Sequence, residues 1–158
     1  MPSTIVTPDR DAIVSEIDIT APPARVFQAL TDVSQLEVWF SDPSCPIRTW
    51  EMDARLGGKY RYQTEKGTAV VNNVCQFECH GEILECDPPR VLVYTWFGNW
   101  HDDVARRTVV RWELSPKAGG THVKVTHSGL ASLPVARKDY TGGWPGVLAM
   151  LKKFAEKQ

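Results

Sequence analysis

The sequence predicts an α+β protein: an antiparallel sheet covered by a C-terminal helix, with two short helices after the first strand. Between residues 47 and 129, short runs of alternating apolar and polar residues are separated by Gly and Pro turns, the pattern of consecutive antiparallel strands. The last segment carries apolar residues at helical spacing. Because the apolar face of such a sheet needs a cover, this helix is expected to lie on it.

Length and composition favour one domain. The chain has 158 residues, of which 42% are apolar, enough for one substantial core. We expect a flexible start over 1–10 and a single domain over 11–158. The net charge of -1 offers no field for nucleic acid or an anionic membrane. The start lacks a signal-peptide pattern and no apolar run approaches ~20 residues, so we expect a cytoplasmic protein without a membrane span.

The four cysteines do not predict a disulfide or a metal site. Cys75 and Cys79 lie on one predicted strand, where four residues place them about 13 Å apart. A disulfide needs Cα atoms within about 7 Å, and ligands of one zinc ion must also converge. We therefore expect Cys45, Cys75, Cys79 and Cys86 to be small packing residues, and we expect no metal or cofactor.

The N-terminal part predicts one strand and two helices. Apolar and polar residues alternate over 11–20, which indicates a half-buried strand. Pro23 suits the first turn of a short helix that should run to Leu30. Ser34 and Glu37 match a capping box for a second helix, which should end before Pro43.

The middle of the chain predicts further strands. A hairpin turns at Gly57-Gly58, with Trp50 and Met52 alternating before it and Tyr60 and Tyr62 after it. Further strands are expected over 73–86, 90–97, 107–114 and 121–129, giving about six or seven in all. The segment 90–97 is apolar on both faces, so it should lie in the interior of the sheet or be covered on both sides.

The order and motifs together resemble a known family. The stretches that carry the likeness are APPARVFQALTDVSQLEVWF (21–40), RLGGKYRYQTEKG (55–67), HGEILECDPPRVLVYTW (80–96), GGTHVKVTHSGL (119–130) and GGWPGVLAMLKKF (142–154). They resemble small proteins related to the C-terminal domain of the heat-shock protein 90 ATPase activator, in the START-like (SRPBCC) superfamily. The resemblance covers about 11–157 and implies a helix-grip fold, in which a curved sheet wraps the last helix around a cavity.

The last helix is where the sequence departs from that family. The resemblance implies a helix that begins near Pro134 and runs through the Gly-Trp pair. Here Pro145 follows Trp144, so we expect a kink or a restart at this point. Together with Gly142 and Gly143, this proline is expected to set the width of the cavity opening.

The alternation and the resemblance together predict a ligand site between the sheet and the last helix. Small-molecule sites are typically apolar with a few polar groups. A small hydrophobic or aromatic molecule is therefore the expected partner. The predicted ligand-binding residues are Trp50, Met52, Tyr60, Tyr62, Phe77, Trp96, Val110, Trp112, Val125, His127, Trp144 and Leu148.

Two other functions remain open at this point. His127, the one histidine predicted on the inner face, could act with Tyr60 or Tyr62 as the acid/base group of a cyclase-like or isomerase-like enzyme. No Asp or Glu falls on that face of the predicted strands. The second function, suggested by the resemblance, is regulation of a heat-shock protein 90 homologue through direct contact. The chain, however, has no room for the activator's separate N-terminal domain. A homodimer is left open.

The loop NWHDDVARR is expected to be solvated. His101, Asp102 and Asp103 are metal-ligand types, but three consecutive residues rarely converge on one ion. Arg106 and Arg107 are expected to be solvated as well.

Overall fold

The computed structural model describes residues 2–157, which form eight strands and three helices. The sheet is antiparallel throughout, in the order β1-β2-β8-β7-β6-β5-β4-β3, and is open at both edges. This confirms the α+β fold class. The elements are β1 (Ser3–Val6), β2 (Ile13–Ile19), α1 (Pro23–Thr31), α2 (Val33–Trp39), β3 (Ile47–Met52), β4 (Lys59–Thr64), β5 (Glu78–Asp87), β6 (Val91–Gly98), β7 (Thr108–Lys117), β8 (Gly120–Ser128) and α3 (Pro134–Ala155).

The N-terminal segment contains a strand that the sequence analysis did not predict. β1 pairs with β2 in register, Ser3 opposite Glu16 and Val6 opposite Ile13. The threonine hydroxyl of Thr4 lies 2.8 Å from that of Ser15. Thr4, Ile5 and Val6 are β-branched and favour a strand, but four residues are too few to form one alone, so pairing to the longer β2 stabilises the segment.

The strand predicted over 73–86 begins later, at Glu78. Asn72 and Asn73 both have positive φ, and Val71 bridges Val74, so the chain turns here instead of extending. Asparagine tolerates this left-handed backbone conformation better than most residues. Cys75 therefore lies outside the strand that holds Cys79.

Strand β6 lies in the interior of the sheet, between β5 and β7, as its two apolar faces predict. Its residues 92–96 are all buried. Gly81 on β5 allows the backbone of β6 to lie close to it, because a Cβ at position 81 would lie only 1.9 Å from the carbonyl oxygen of Thr95. The Tyr60 ring lies beside Gly81, and its hydroxyl donates to that same carbonyl at 2.6 Å.

Helix α1 ends one residue beyond the predicted boundary, and the cap of α2 differs from the predicted one. Asp32, not Ser34, is the N-cap: its Oδ1 accepts a hydrogen bond from the Ser34 amide at 3.0 Å. The expected capping box is therefore wrong. Aspartate in this position satisfies one of the free amides of the first turn.

Helix α3 is uninterrupted from Pro134 to Ala155, so the start implied by the resemblance is confirmed and a restart at Pro145 is not seen. The helix packs mainly on β2 and contacts β1 and α1. At its C-terminal end Lys152 donates to the Asp18 carbonyl at 3.0 Å, and Glu156 accepts from the Thr20 amide at 2.7 Å. No helix within residues 2–157 combines the length and apolar character needed to cross a membrane.

Candidate functional site

A cavity of about 520 Å³ lies between the middle of α3 and strands β3, β4 and β6. Its volume falls within the range of about 300–1,000 Å³ that small-molecule sites occupy. The segments after α2 and before β5 close one end. The lining residues are Phe40, Ser41, Asp42, Cys45, Ile47, Tyr62, Thr64, Ala69, Val71, Phe77, Trp96, Trp100, Asp139, Tyr140, Gly142, Gly143, Trp144, Gly146, Val147 and Met150.

The helical side of the cavity is rich in glycine. Asp139, Gly143, Gly146 and Met150 follow one another at spacings of four, three and four, so they share one face of α3. A Cβ added at Gly142, Gly143 or Gly146 would meet no other atom within 4 Å. None of the three has positive φ. These glycines therefore serve neither a tight turn nor a close contact; their effect is to keep this side of the cavity free of side chains.

The walls are largely aromatic. Trp96 and Trp144 have ring centroids 5.9 Å apart, and Trp100 packs edge-on to Phe77 at 5.3 Å. Such arrangements suit the quadrupoles of the rings. The seven aromatic side chains that line the cavity among the described residues are Phe40, Tyr62, Phe77, Trp96, Trp100, Tyr140 and Trp144.

A chain of hydrogen bonds fixes the wall formed by Trp144. Its indole N–H donates to Nδ1 of His127 at 3.1 Å, so Nε2 carries the ring proton in neutral His127. Nε2 then donates to the Thr108 hydroxyl at 2.9 Å, which donates to the Trp96 carbonyl at 2.5 Å. His127 is fully buried, and burial lowers its pKa well below the ordinary value.

A second network holds Tyr140. Its hydroxyl accepts from Nε1 of Trp96 at 2.7 Å and is hydrogen-bonded to Nε2 of His101 at 2.6 Å. His101 is only 2% exposed, and burial lowers its pKa to about 4. The prediction that this histidine is solvated is therefore wrong: the loop folds back so that its imidazole packs edge-on against Tyr140.

Asp102, in the same loop, holds the start of α3. Its two carboxylate oxygens accept from the amides of Val135 and Ala136, each at 3.0 Å. The N-cap residue of the helix, Leu133, provides no side-chain acceptor of its own. A carboxylate from a distant loop thus supplies the capping oxygens and complements the positive end of the helix dipole. Asp103, Arg106 and Arg107 are exposed, as predicted.

We expect Asp102→Ala to lower the free energy of unfolding by about 1–2 kcal/mol, the usual cost of losing a helix cap. Urea unfolding followed by circular dichroism measures the change. Asp103→Ala is the matched control: this exposed neighbour accepts only a local hydrogen bond from the Ala105 amide, so it should change stability by less than about 0.5 kcal/mol. Equal effects of the two substitutions would contradict the capping role.

Asp139 is a half-buried carboxylate on the cavity wall. Its Oδ2 accepts from the indole N–H of Trp100 at 3.1 Å, while Oδ1 accepts no hydrogen bond from residues 2–157. Burial raises the pKa of Asp139 above its ordinary value, and the bond from Trp100 opposes that change. Within residues 2–157 it forms no ion pair.

The structure brings four of the predicted ligand residues to the cavity: Tyr62, Phe77, Trp96 and Trp144. The other eight do not line it. Met52 is partly buried, and seven are packed in the core: Trp50, Tyr60, Val110, Trp112, Val125, His127 and Leu148. Alternation identifies the inner face of the sheet, but it does not separate positions covered by the C-terminal half of α3 from positions that border empty space.

Several lining residues were missed. Asp139 and Tyr140 precede the part of α3 that the apolar pattern predicts, so extending that pattern back to Pro134 would have included both. Trp100 and Phe40 lie outside the strands, where alternation gives no signal. In residues 2–157 no group of three His, Cys, Asp or Glu side chains is arranged to hold a metal ion.

An open antiparallel sheet, a long C-terminal helix and an aromatic cavity between them define a helix-grip protein of the START-like (SRPBCC) superfamily. A family model described as "Activator of Hsp90 ATPase homolog 1-like protein" matches residues 20–156, and the chain belongs to this family. Among curated proteins, none gave a significant match.

Solved structures agree with the fold. A Chromobacterium violaceum protein is similar with a TM-score of 0.77 at 24% identity, covering 94% of this chain and 99% of that one. A Mesorhizobium loti protein gives 0.71 at 26% identity, covering 93% and 98%. An Arthrobacter aurescens protein gives 0.80 at 16% identity, covering 99% and 92%.

Proposed function

We propose that this protein binds a small hydrophobic or aromatic molecule in the cavity between the sheet and α3. The observation that carries the proposal is the combination of a cavity of about 520 Å³ with aromatic walls and three glycines on its helical side. Glycine in a helix interior costs about 1 kcal/mol relative to alanine. Helix stability alone therefore gives no reason for Gly142, Gly143 and Gly146, whereas an accessible cavity does.

The affinity depends on more than apolar contact. Burying about 300 Å² of ligand surface at ~25 cal/mol/Å² would contribute about 7 kcal/mol. Loss of translational and rotational freedom offsets at least ~4 kcal/mol of this, which leaves millimolar-range binding. A tighter and more selective ligand must also make polar contacts with the wall.

The enzyme alternative depended on His127, and we do not propose it. The imidazole of His127 lies outside the cavity lining, and both of its nitrogens are hydrogen-bonded within the core. A general acid/base must reach the reacting group. Contact with a heat-shock protein 90 homologue and homodimer formation remain predictions.

Binding of a neutral fluorescent probe tests the proposal. N-phenylnaphthylamine should gain fluorescence on entering the apolar cavity, and the melting temperature should rise as the concentration of the probe increases. Native mass spectrometry of the freshly purified protein would show any ligand that co-purifies. Unchanged probe fluorescence together with an unshifted melting temperature across a library of lipids, sterols and aromatic compounds would contradict it.

A further inference from the structure

The charges at the cavity wall are all of one sign. Two carboxylates, Asp42 and Asp139, line the cavity, whereas none of the described lining residues is Lys, Arg or His. An apolar wall strengthens the field of a charge near it, because less water is present to screen it. The cavity should therefore repel fatty acids and other anions and attract cations.

The two carboxylates are not equivalent. Asp42 Oδ1 already accepts from both the amide and the hydroxyl of Ser44, at 2.8 and 2.6 Å, and these bonds lower its pKa. Asp139 has one indole donor at Oδ2, and its Oδ1 accepts nothing from residues 2–157. Of the two, Asp139 is the carboxylate with an oxygen left for a ligand.

The packing of Asp139 does not require its charge. A neutral asparagine could accept the Trp100 N–H bond equally well with its side-chain oxygen. A carboxylate among aromatic rings loses hydration, and this cost is offset only when a cation or further donors face it. Within residues 2–157 no cationic side chain forms an ion pair with Asp139, so a ligand is the natural source of the opposite charge.

The surrounding rings complement a cation as well. Trp100 and Tyr140 border Asp139 in the lining, with ring centroids 6.2 Å apart. The faces of tryptophan and tyrosine rings attract organic cations, especially where water is excluded. Aromatic faces with one adjacent carboxylate are a common way of recognising an amine on an apolar body.

Resting on the function proposed above, we infer that the ligand carries a protonated amine or other organic cation on an apolar or aromatic body, with Asp139 as its anionic partner. The positive charge of the ligand and its contact with Asp139 would then select it among apolar molecules of similar size. This contact also gives Asp139 a role that its contacts within the chain leave unfilled.

Three naphthalene derivatives that share one ring system test the inference: naphthylmethylamine, naphthylmethanol and naphthylacetate. Calorimetric titration at low ionic strength and neutral pH gives each affinity. We expect the amine to bind at least about tenfold more tightly than the alcohol, the value of one charge-assisted hydrogen bond. The acetate should bind most weakly.

Asp139→Asn should remove most of that preference. We expect the affinity for the amine to fall by about tenfold, while the affinity for the alcohol changes by less than about twofold. Asp42→Asn is the matched control at the same cavity, and should weaken amine binding by less than about threefold. An equal effect of both substitutions would overturn the assignment to Asp139.

The inference and the proposed function fail in different ways. If the alcohol and the amine bind equally well and Asp139→Asn changes neither, the cation inference is overturned and the binding function stands. If neither they nor the neutral probe bind, the binding function fails and the inference fails with it.

The wild-type protein provides a second measurement if Asp139→Asn does not fold. The preference for amine over alcohol should shrink as acid protonates Asp139. The other titratable groups at the cavity are Asp42 and Cys45 after α2, Tyr62 on β4 and Tyr140 on α3. Of these, only Asp42 also loses negative charge on acidification, and its lowered pKa places that loss at lower pH. His101, which is hydrogen-bonded to Tyr140 behind the wall, gains positive charge only near its pKa of about 4. An amine preference that stays constant from neutral pH to the pH at which Asp139 is protonated would contradict the inference.

Discussion

Gly146→Phe is expected to abolish binding of apolar ligands while leaving the fold at least as stable as the wild type. Gly146 lines the cavity on the same face of α3 as Asp139 and Met150, and a Cβ at this position meets nothing within 4 Å. A benzyl group can therefore enter the cavity without displacing the core. We expect the affinity for the neutral probe to fall by more than about tenfold, since the apolar contacts of the ligand are replaced by those of the new ring.

Stability should move in the opposite direction from binding. Phenylalanine is a better helix former than glycine by about 0.5 kcal/mol, and the buried ring adds apolar contact. Gly146→Ala should stabilise by up to about 1 kcal/mol while blocking less of the cavity. Gains in stability coupled to losses of function are common at binding sites. Chemical unfolding and probe titration on the same samples measure the two effects.

Ala149→Phe is the matched control for this experiment. Ala149 is exposed on α3 and lies outside the cavity lining. The substitution adds the same ring to the same helix, so binding should stay within about twofold of the wild type. If Gly146→Phe binds the probe as well as Ala149→Phe does, the ligand does not occupy this part of the cavity.

Much of the fold could be predicted because its elements follow local rules. The strands β3, β4 and β6 to β8 alternate or carry continuous apolar runs, and α1 begins at a proline. The four residues of β1 include three strand formers, but so short a run gives only a weak signal and forms a strand through pairing with β2. The full length of α3 came from the family resemblance, since glycine and proline within the helix interrupt its apolar pattern.

The candidate site was less predictable because a cavity forms only where the side chains of the helix and the sheet do not fill the space between them. Trp112 and Trp144 are both aromatic and both were predicted to bind the ligand, yet only Trp144 borders the cavity. Asp139 is hydrogen-bonded to Trp100, and Tyr140 to His101, although 39 residues separate the two partners of each pair in the sequence. No local pattern encodes such pairs. They arise when the loop after β6 folds against the first turns of α3.

Two buried histidines are expected to contribute about 4 kcal/mol of destabilisation on acidification from pH 7 to 5. His127 accepts the Trp144 N–H at Nδ1, so protonating that nitrogen would set two N–H groups against each other. Nδ1 of His101 is buried and has no hydrogen-bond partner in the described chain, which likewise disfavours a charged ring. Burial lowers both pKa values, that of His101 to about 4.

The direction of the effect follows from proton binding. With folded pKa values depressed below about 6.5, the unfolded chain binds more protons than the folded one in this range, so stability falls as pH falls. Each neutral histidine accounts for about 2 kcal/mol between pH 7 and 5.

His122 opposes this effect, because Asp18 and Glu16 raise its pKa, but its side chain is 40% exposed and the contribution is screened. The raised pKa of Asp139 also acts in the opposite direction. The pKa of Asp18 is lowered to about 2, so its contribution is lost below this window.

Substitution separates the buried pair from these other groups. In His127→Gln the loss of stability between pH 7 and 5 should be about 2 kcal/mol smaller than in the wild type, whatever the starting stability of the variant, because one titrating group has been removed. His80→Gln, which makes the same replacement at an exposed position on β5, is the matched control. Urea unfolding at each pH gives these differences. If His127→Gln does not fold, the ring proton shifts of His127 in the wild type provide the check: they should stay constant from pH 7 to 5, and a titration there would show that the imidazole takes up a proton within the folded core.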